Sequence, residues 1–276
     1  MNRPLFTHDI LPPSLGQSLF DRRGTTAPLR QFSRGETIYE PGMKEFVGYV
    51  VSGAVKLVTL LPDGRCNIIG VIEAPGFFGR IFGVATEFTI EAASDVVLAC
   101  FDRSTFEARL CTDPELEHSV HMENLYQLDE AHERILVLAC QSIIQRLATF
   151  MVLKMLAAQS DDGERVATPV IHVPINRRDF AAYLGTTVET VSRSIQALVR
   201  RGTIAVIDSA NFQVLRRRDL IDIAGQDEDN LREMVRSRRP KSGTGREYLA
   251  TTGRNPGRRA TDSVPAQARV IRIAAE

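Results

Sequence analysis

The sequence predicts an α+β protein in which an N-terminal β domain, a long helix and a small C-terminal domain follow one another. Short runs rich in β-branched residues, separated by turn residues at roughly ten-residue intervals, predict a sandwich or barrel between Leu29 and about Arg109. After Pro114 the chain has no further Gly or Pro until Gly163, which predicts long helical segments. Residues 174–215 then give two short helical patterns followed by two apolar runs, which predict helices closed by a β-hairpin.

Composition and charge are those of an ordinary globular protein. The chain has 276 residues, 43% of them hydrophobic and 25% charged, and its formal net charge is zero. This length allows two domains, and the whole-chain charge gives no argument for a polyanionic partner. No apolar run approaches the roughly 18 residues that span a bilayer, and the N-terminus has no recognisable targeting signal. We therefore expect a cytoplasmic protein with no membrane partner, in which residues 1–29 form an N-terminal extension.

The β domain is predicted over residues 30–112. A turn at Pro62-Asp-Gly-Arg65 separates two of its apolar runs, because Pro presets φ and because Asp and Gly tolerate a tight reversal. The predicted strands are Thr37–Tyr39, Phe46–Val51, Ala54–Leu61, Asn67–Ile72 and Val96–Phe101.

The cysteines of the chain are dispersed along it. Cys66, Cys100, Cys111 and Cys140 form no C-x-x-C pair, and no cysteine precedes Cys66. Zinc and iron–sulfur sites usually need closer spacing. We therefore expect reduced thiols and no iron–sulfur cluster.

A long dimerisation helix is predicted over residues 113–140, and a break between Leu138 and Ser142 separates it from a second helix. Pro114 opens it, and two glutamates follow in the first turn, where the helix dipole favours anions. Further along, residues recur at alternating spacings of three and four, which is the pattern of a coiled-coil seam. The seam consists of His118, His121, Leu125, Leu128, His132 and Ile135. It predicts a contact between two identical subunits, although Leu116 and Val120 mark a competing stripe.

The seam histidines have two interpretations. Across a symmetric seam, equivalent imidazoles would lie close together and could bind haem or a metal ion, or respond to protonation. Alternatively, they are packed or edge residues, and the polar seam positions set the register of the helix pair. We favour the second interpretation.

Residues 141–225 are predicted to form a winged helix-turn-helix domain. The predicted elements are the helix Arg177–Leu184, a turn at Gly185, the helix Val188–Arg201, a C-cap at Gly202 and the strands Ile204–Ile207 and Phe212–Leu215. Helix, tight turn, helix and β-hairpin are the parts of a winged helix-turn-helix, whose second helix enters the major groove of DNA. A winged helix that binds a protein is the alternative use of the same fold.

The buried stripe of the second helix determines which of its side chains face outward. The stripe is predicted to be Val191, Ile195, Leu198 and Val199. Arg193 would then be able to donate twice to guanine, Glu189 to accept from cytosine and Ser192 to bond several base edges. A capping box formed by Thr186-x-x-Glu189 would instead tie the glutamate to its own helix. With Thr187 as the N-cap, Glu189 would be available to DNA.

Further side chains around the motif are predicted to contact DNA phosphates, which position a domain without reading sequence. They are Arg177, Arg178, Thr187, Arg200 and Arg201. Arg193 could alternatively be a solvated surface residue, but base reading is favoured because it lies on the outward face.

Residues 30–222 resemble the Crp/Fnr superfamily of bacterial transcription regulators. The resemblance rests on Arg34-Gly-Glu-Thr-Ile-Tyr-Glu-Pro-Gly42, on Val50-Val-Ser-Gly-Ala-Val-Lys-Leu57, on Pro75-Gly-Phe-Phe-Gly79 and on the winged helix. It implies a cyclic-nucleotide-binding-type β-roll, a long dimerisation helix and a C-terminal DNA-binding domain, without enzymatic activity. It also implies that RNA polymerase is a partner.

Within that superfamily the second helix is similar to the Fnr and FixK-like branch, through Glu189-x-x-Ser192-Arg193. Cyclic-AMP receptors carry an arginine at the position of Val188 and a glycine at that of Ser192. The similarity implies an activator that binds double-stranded DNA as a homodimer, at TTGAT-like half-sites arranged as an inverted repeat. The half-site centres would lie about one helical turn apart.

The residues through which such regulators sense signals are different in this chain. Nucleotide-binding relatives have a Gly-Glu pair where this chain has Gly79-Arg80, and no Arg or Lys lies between Arg80 and Arg103 to bind a cyclic phosphate. A buried phosphate without a cation is strongly disfavoured, so we expect no cyclic nucleotide and no other cofactor. Gly79 and Arg80 are the candidate pocket for an anionic effector. The alternative function is a regulator whose β-roll binds a small molecule or haem that controls DNA binding.

Residues 226–276 are predicted to be a basic, disordered tail. Basic residues outnumber acidic ones from Arg232 onward, and Gly, Pro, Ser and Thr make up much of the rest. Such a tail could add nonspecific DNA affinity or serve as a degradation or partner segment.

Overall fold

The computed structural model describes residues 28–60, 62, 64, 66–83, 86–158 and 168–237. It confirms the predicted α+β architecture, with a β-roll, a long helix and a winged helix-turn-helix in that order. The predicted N-terminal extension 1–29 lies outside the described residues apart from Pro28 and Leu29, and Leu29 already belongs to the first strand.

The described residues of the β-roll form eight strands. They are β1 (Leu29–Phe32), β2 (Thr37–Tyr39), β3 (Phe46–Ser52), β4 (Ala54–Leu60), β5 (Cys66–Glu73), β6 (Gly76–Phe78), β7 (Thr89–Ala92) and β8 (Val96–Asp102). They pair antiparallel in two sheets, in the orders β1-β8-β3-β6 and β2-β7-β4-β5. Apolar side chains between the sheets, among them Ile38, Val55 and Leu98, are almost completely buried and form the core of the roll. The short strands β1, β6 and β7 were not predicted individually.

Three helices follow the roll: α1 (Arg103–Leu110), α2 (Pro114–Ala139) and α3 (Ile143–Ala157). The Asp113 carboxylate caps α2 by accepting the Leu116 N–H at 3.1 Å. The predicted break between the long helix and the next one is confirmed. There Ser142 and Gln145 form a capping box that starts α3.

The C-terminal domain is built on α3. Its other elements are β9 (Val170–His172), α4 (Arg177–Tyr183), α5 (Val188–Arg200), β10 (Ile204–Val206), β11 (Asn211–Val214) and α6 (Arg217–Ala224). Leu147 and Met151 of α3 share one fully buried core with Phe180, Leu198 and Phe212. Among the described residues, no helix is both long and apolar enough to cross a membrane.

The prediction of a tail that starts at residue 226 is wrong for its first part. Residues Glu228–Ser237 form a further helix, α7, which packs against α3. Leu231 is 2% exposed and Val235 is 5% exposed, and the Asp227 carboxylate accepts the Asn230 N–H at 2.9 Å as an N-cap. The average composition of residues 226–276 does not indicate this helix, because its polar residues outnumber the two apolar residues that it buries. The rest of the predicted tail lies outside the described residues.

Candidate nucleic-acid interface

The first helix of the motif, α4, is fixed by a polar N-cap and by a buried aromatic side chain. Asn176 Oδ1 accepts the Asp179 backbone N–H at 2.9 Å, and the Phe180 ring lies 5.1 Å from that of Phe150 on α3. Gly185, with φ of 66°, then reverses the chain in a left-handed conformation that favours glycine. The next helix therefore follows α4 after a tight turn.

The second helix, α5, buries one side and exposes the other. Its buried residues are Val191, Ser194, Ile195 and Leu198. Val199, predicted as part of the buried stripe, is 40% exposed because it lies one position further round the helix than Leu198. Glu189 and Arg193 are exposed on the opposite side, with Ser192 half-buried beside them. The structure therefore brings the three predicted base-reading residues together on the first half of the outward face.

The N-cap of α5 is Thr187. Its hydroxyl accepts the Thr190 backbone N–H at 3.3 Å, so the alternative capping box that starts at Thr186 is not formed. The backbone N–H of Glu189 itself, then the Thr187 hydroxyl and Arg193, hold the pKa of Glu189 below its usual value. The carboxylate is therefore ionised at neutral pH, which is the state that accepts hydrogen bonds from a base amino group.

Arg193 lies one helical turn after Glu189. Its Nη2 atom is 3.4 Å from Thr190 Oγ1, and the side chain is exposed. A guanidinium carries five N–H donors, so this weak contact leaves enough of them for a bidentate bond to a guanine edge. Glu189 and Arg193 thus place an acceptor beside a donor fork.

The predicted phosphate contacts lie at opposite ends of α5. The exposed members are Arg178 and Thr187 near its start and Arg200 and Arg201 at its end. The two ends are about 20 Å apart at the helical rise per residue, so they would meet different phosphates. Arg177 differs from the others because its guanidinium lies 5.4 Å from the centre of the Phe212 ring, and burial lowers its pKa. Arg177 therefore also packs against the wing.

The wing is a three-stranded sheet in the order β10-β11-β9. Its hairpin turn is closed by the Asp208 carboxylate, which accepts the backbone N–H groups of Ala210 at 2.8 Å and Asn211 at 2.9 Å. The hairpin was predicted from the sequence. The third strand was not, because it pairs with a segment some forty residues away, Val170 opposite Gln213.

The winged helix-turn-helix is docked on the β-roll, where α4 packs against β5. Beyond this contact a groove of about 1080 Å³ separates the roll from the start of α5. Cys66 and Asn67 line it on one side, and Thr187 and Glu189 line it on the other. Glu189 and Arg193 nevertheless stay exposed to solvent.

The long helix α2 has one face on the β-roll and the predicted seam on another. Leu116 and Val120, the competing stripe, are buried against the roll, and Glu123 Oε1 accepts the Phe77 N–H at 3.3 Å. All seam residues are exposed in the single chain: His118, His121, Leu125, Leu128, His132 and Ile135. The competing stripe is thus used within the chain, and the seam is available to a second helix.

The predicted effector pocket at Gly79 and Arg80 is nearly closed. The cavity there measures about 10 Å³, which is no more than one water molecule needs. The rings of Tyr39, Phe46 and Phe78 pack edge-to-face around it, with neighbouring centres 6.3 and 5.9 Å apart. Arg80 is exposed and lies at the rim. A cavity of this size among the described residues has no room for a nucleotide.

A larger cavity, of about 200 Å³, lies among the roll, α2, α3 and α4. Arg134, only 8% exposed, lines it together with Leu57, Phe150 and Tyr183. The guanidinium of Arg134 lies 4.7 Å from the Tyr183 ring centre, burial lowers its pKa, and its Nε atom has no hydrogen-bond partner among the described residues. No sequence signal indicates this site, because Arg134 is one of several charged residues on a long helix.

A β-roll joined by a long helix to a winged helix-turn-helix, with the second helix of the motif open to solvent, defines a DNA-binding transcription regulator. Residues 145–223 match the Crp-like helix-turn-helix domain, and residues 29–113 match the cyclic nucleotide-binding domain. The chain belongs to the Crp/Fnr family of transcription regulators.

Individual relatives agree with this assignment. The transcriptional activator protein FnrL of Cereibacter sphaeroides is 30% identical over 205 residues, which are 72% of this chain and 82% of FnrL. The nitrogen fixation regulation protein FixK of Bradyrhizobium diazoefficiens is 30% identical over 180 residues, 64% of this chain and 73% of FixK. The match to the solved structure of FixK2 from Bradyrhizobium japonicum covers 73% of this chain and 98% of the FixK2 chain, with 28% sequence identity and a TM-score of 0.62. These relatives are transcription regulators and not enzymes, and the chain is a transcriptional activator with a helix-turn-helix DNA-binding domain.

Proposed function

We propose that this activator binds double-stranded DNA as a homodimer, at an inverted repeat of TTGAT-like half-sites. The observation that carries the proposal is the outward face of α5, on which Glu189 and Arg193 are exposed and Ser192 lies half-buried beside them. The similarity to FnrL and FixK supports the same branch of the family.

The chemistry of this face suits a single G·C base pair. A TTGAT half-site contains one, and Arg193 can donate to O6 and N7 of its guanine while Glu189 accepts from N4 of its cytosine. Ser192 can bond a neighbouring base edge. Each good contact contributes about 1–3 kcal/mol of discrimination against a wrong base.

The dimer would form along the α2 seam. Leu125, Leu128 and Ile135 are apolar yet 53%, 49% and 63% exposed in the single chain. A symmetric partner would cover them with the same residues and relate the two α5 helices by a two-fold axis, as an inverted repeat requires. RNA polymerase would be the partner of the DNA-bound dimer.

Replacement of the reading arginine tests this proposal. Arg193→Ala should lose about 1–3 kcal/mol of binding to the TTGAT repeat and almost all preference for guanine at the third position, while weak, salt-sensitive association remains. Arg200→Ala is the matched control, because loss of a phosphate contact should weaken binding to all sequences alike and reduce the salt slope by about one. An Arg193→Ala protein that still selects guanine at that position would contradict the assignment.

We also propose that DNA binding needs no cyclic nucleotide, iron–sulfur cluster or other cofactor. The near absence of space beside Gly79 and Arg80 supports the first part. The spacing of the cysteines supports the second, because no cysteine precedes Cys66 and none forms a C-x-x-C pair. Purified protein should therefore bind the operator tightly without additions, and a requirement for an added nucleotide would refute this.

A second candidate function is an effector-gated regulator, and the 200 Å³ cavity at Arg134 is the observation that favours it. A small molecule there would touch the roll, the long helix and α4 at once. Operator binding measured with and without a low-molecular-weight cell extract tests this idea. Any response should be lost in Ala131→Phe, which places a ring in the cavity that Ala131 lines. An unchanged response in that variant, or none in the wild type, would dismiss the cavity as an effector site.

A further inference from the structure

Lys56 joins the β-roll to the winged helix-turn-helix. Its Nζ atom lies 3.0 Å from Asp179 Oδ2 on α4 and 3.0 Å from Glu91 Oε2 on β7. The side chains of Lys56 and Asp179 are 12% and 13% exposed, so this contact, here called the Lys56 clasp, is largely shielded from water. Burial lowers the pKa of Lys56, but its hydrogen bonds to Glu91 and Asp179 outweigh that effect and raise the pKa above its usual value. The lysine is therefore charged at neutral pH.

The ammonium group keeps two carboxylates together. Without it, Glu91 and Asp179 would face each other as like charges in a partly buried setting, and they would repel. Asp179 cannot respond to such a force alone, because its Oδ2 atom also accepts from Asn176 Nδ2 at 2.8 Å. This bond ties Asp179 into the N-cap of α4, so a force on the carboxylate is transmitted to the helix.

The C-terminal end of α4 is held from the long helices. Arg134 Nη2 of α2 donates to the Tyr183 carbonyl at 3.2 Å, and Arg146 Nη1 of α3 donates to the Leu184 carbonyl at 3.1 Å. With this end held, a change at the clasp would tilt α4. The tight turn at Gly185 would pass the tilt on to α5, whose start is separated from the roll by the groove.

We propose that Lys56 is a positioning residue for operator reading, which fixes the angle at which the β-roll presents α5 to DNA. This inference rests on the proposed dimeric binding to an inverted repeat. In the docked arrangement Glu189 and Arg193 are exposed, as operator reading requires. In a dimer the angle of each α5 sets the distance between the two reading helices, and Lys56 therefore governs the spacing of half-sites that the protein accepts.

The proposal separates two kinds of selectivity. Base selectivity within a half-site depends on the side chains of α5 and should not depend on Lys56. Selectivity for the spacer between half-sites depends on orientation, and it should relax when the clasp is opened. A loss of general stability would reduce binding to all operators alike and would leave both selectivities unchanged.

The test uses the full-length protein and TTGAT inverted repeats with the preferred spacer, with one base pair added or removed, and with the half-site guanine replaced. Lys56→Met opens the clasp, and Lys56→Arg is the conservative variant that should restore it. Lys154→Met is the matched control. Lys154 Nζ on α3 lies 2.5 Å from Glu73 Oε1 on the roll, so this substitution also breaks an ion pair between a helix and the roll. Both side chains of that pair are about one-third exposed, and the helix is α3 instead of α4. Thermal melting of each variant shows that it is folded.

For Lys56→Met we expect about fivefold or more weaker binding to the preferred operator and a spacer preference reduced by a similar factor, with the guanine preference unchanged. Lys56→Arg and Lys154→Met should behave as the wild type. Should Lys56→Met not fold, Lys56→Gln, which keeps a polar end but removes the charge that holds the two carboxylates together, should relax the spacer preference in the same way. A clasp variant that keeps the wild-type spacer preference overturns this inference alone. A wild-type protein with no preference for any inverted repeat contradicts the proposed function and this inference with it.

Discussion

The seam on α2 predicts how strongly a single substitution should weaken the dimer. Leu125 is 53% exposed in the single chain, so about half of its surface remains to be covered by a partner. Complete burial of a leucine contributes about 1.5–3 kcal/mol, and half of it about 1 kcal/mol. Two-fold symmetry places the residue on both chains, so Leu125→Asp should cost at least about 2 kcal/mol, to which the repulsion of two facing carboxylates adds. The dimer dissociation constant should therefore rise about 30-fold or more.

Sedimentation velocity over a range of concentrations measures this constant directly. Leu60→Asp is the matched control, because Leu60 is 70% exposed at the end of β4 and does not belong to the seam, and the same substitution there should leave association unchanged. Loss of dimer in Leu125→Asp should be accompanied by loss of tight binding to an inverted repeat but not of weak binding to a single half-site. If Leu125→Asp associated as tightly as the wild type, the seam would be assigned to the wrong face of α2.

Three further predictions concern stability. Phe180 is 1% exposed in the core of the DNA-binding domain, so Phe180→Ala should lower the free energy of unfolding in urea by about 3–5 kcal/mol, and a loss below 1 kcal/mol would contradict the packing. Burial raises the pKa of Glu123 above its usual value of 4.5, so its carboxyl group binds a proton more tightly in the folded state than in the unfolded state. The free energy of unfolding therefore falls as the pH rises from the unfolded-state pKa to the folded-state pKa. Glu123→Gln should therefore melt higher than the wild type at pH 8, with a difference that disappears below pH 4.5, and the opposite trend would refute the assignment. Deletion of residues 226–276 removes the two buried side chains of α7 and should lower the free energy of unfolding in urea by about 3–6 kcal/mol. Deletion of residues 238–276 leaves those two side chains in place and should not cause this loss. Equal losses in the two deletions would show that α7 does not stabilise the protein.

The reading helix could be predicted from the sequence because its information is local. Val191, Ile195 and Leu198 repeat at helical spacing, and that repeat alone places Glu189 and Arg193 on the opposite face. The exception at Val199 shows the limit of this argument, since the width of a buried face depends on what packs against it.

The parts that could not be predicted depend on partners distant in sequence. Strand β9 has three residues and no period of its own, and it becomes a strand because β11 pairs with it. The clasp joins Lys56 to Asp179 across 123 positions, and nothing near either residue indicates the other. Helix α7 is a different case, because the sequence does contain a signal for it: Leu231 and Val235 are apolar residues spaced one helical turn apart. The composition averaged over the whole tail does not show this local spacing.

The contacts on α4 bear on how any signal could reach the DNA in this chain. The roll holds one end of a seven-residue helix through Lys56, and α2 and α3 hold the other through Arg134 and Arg146. A movement of the roll relative to α2 would shift the Lys56 contact relative to the contacts of Arg134 and Arg146. Helix α4 would then tilt before any side chain of α5 changed. Regulation of this protein should therefore change operator affinity and spacer preference together and leave the preferred half-site sequence constant. Measurement of both selectivities under activating and non-activating conditions would identify the long helix and the roll as the input.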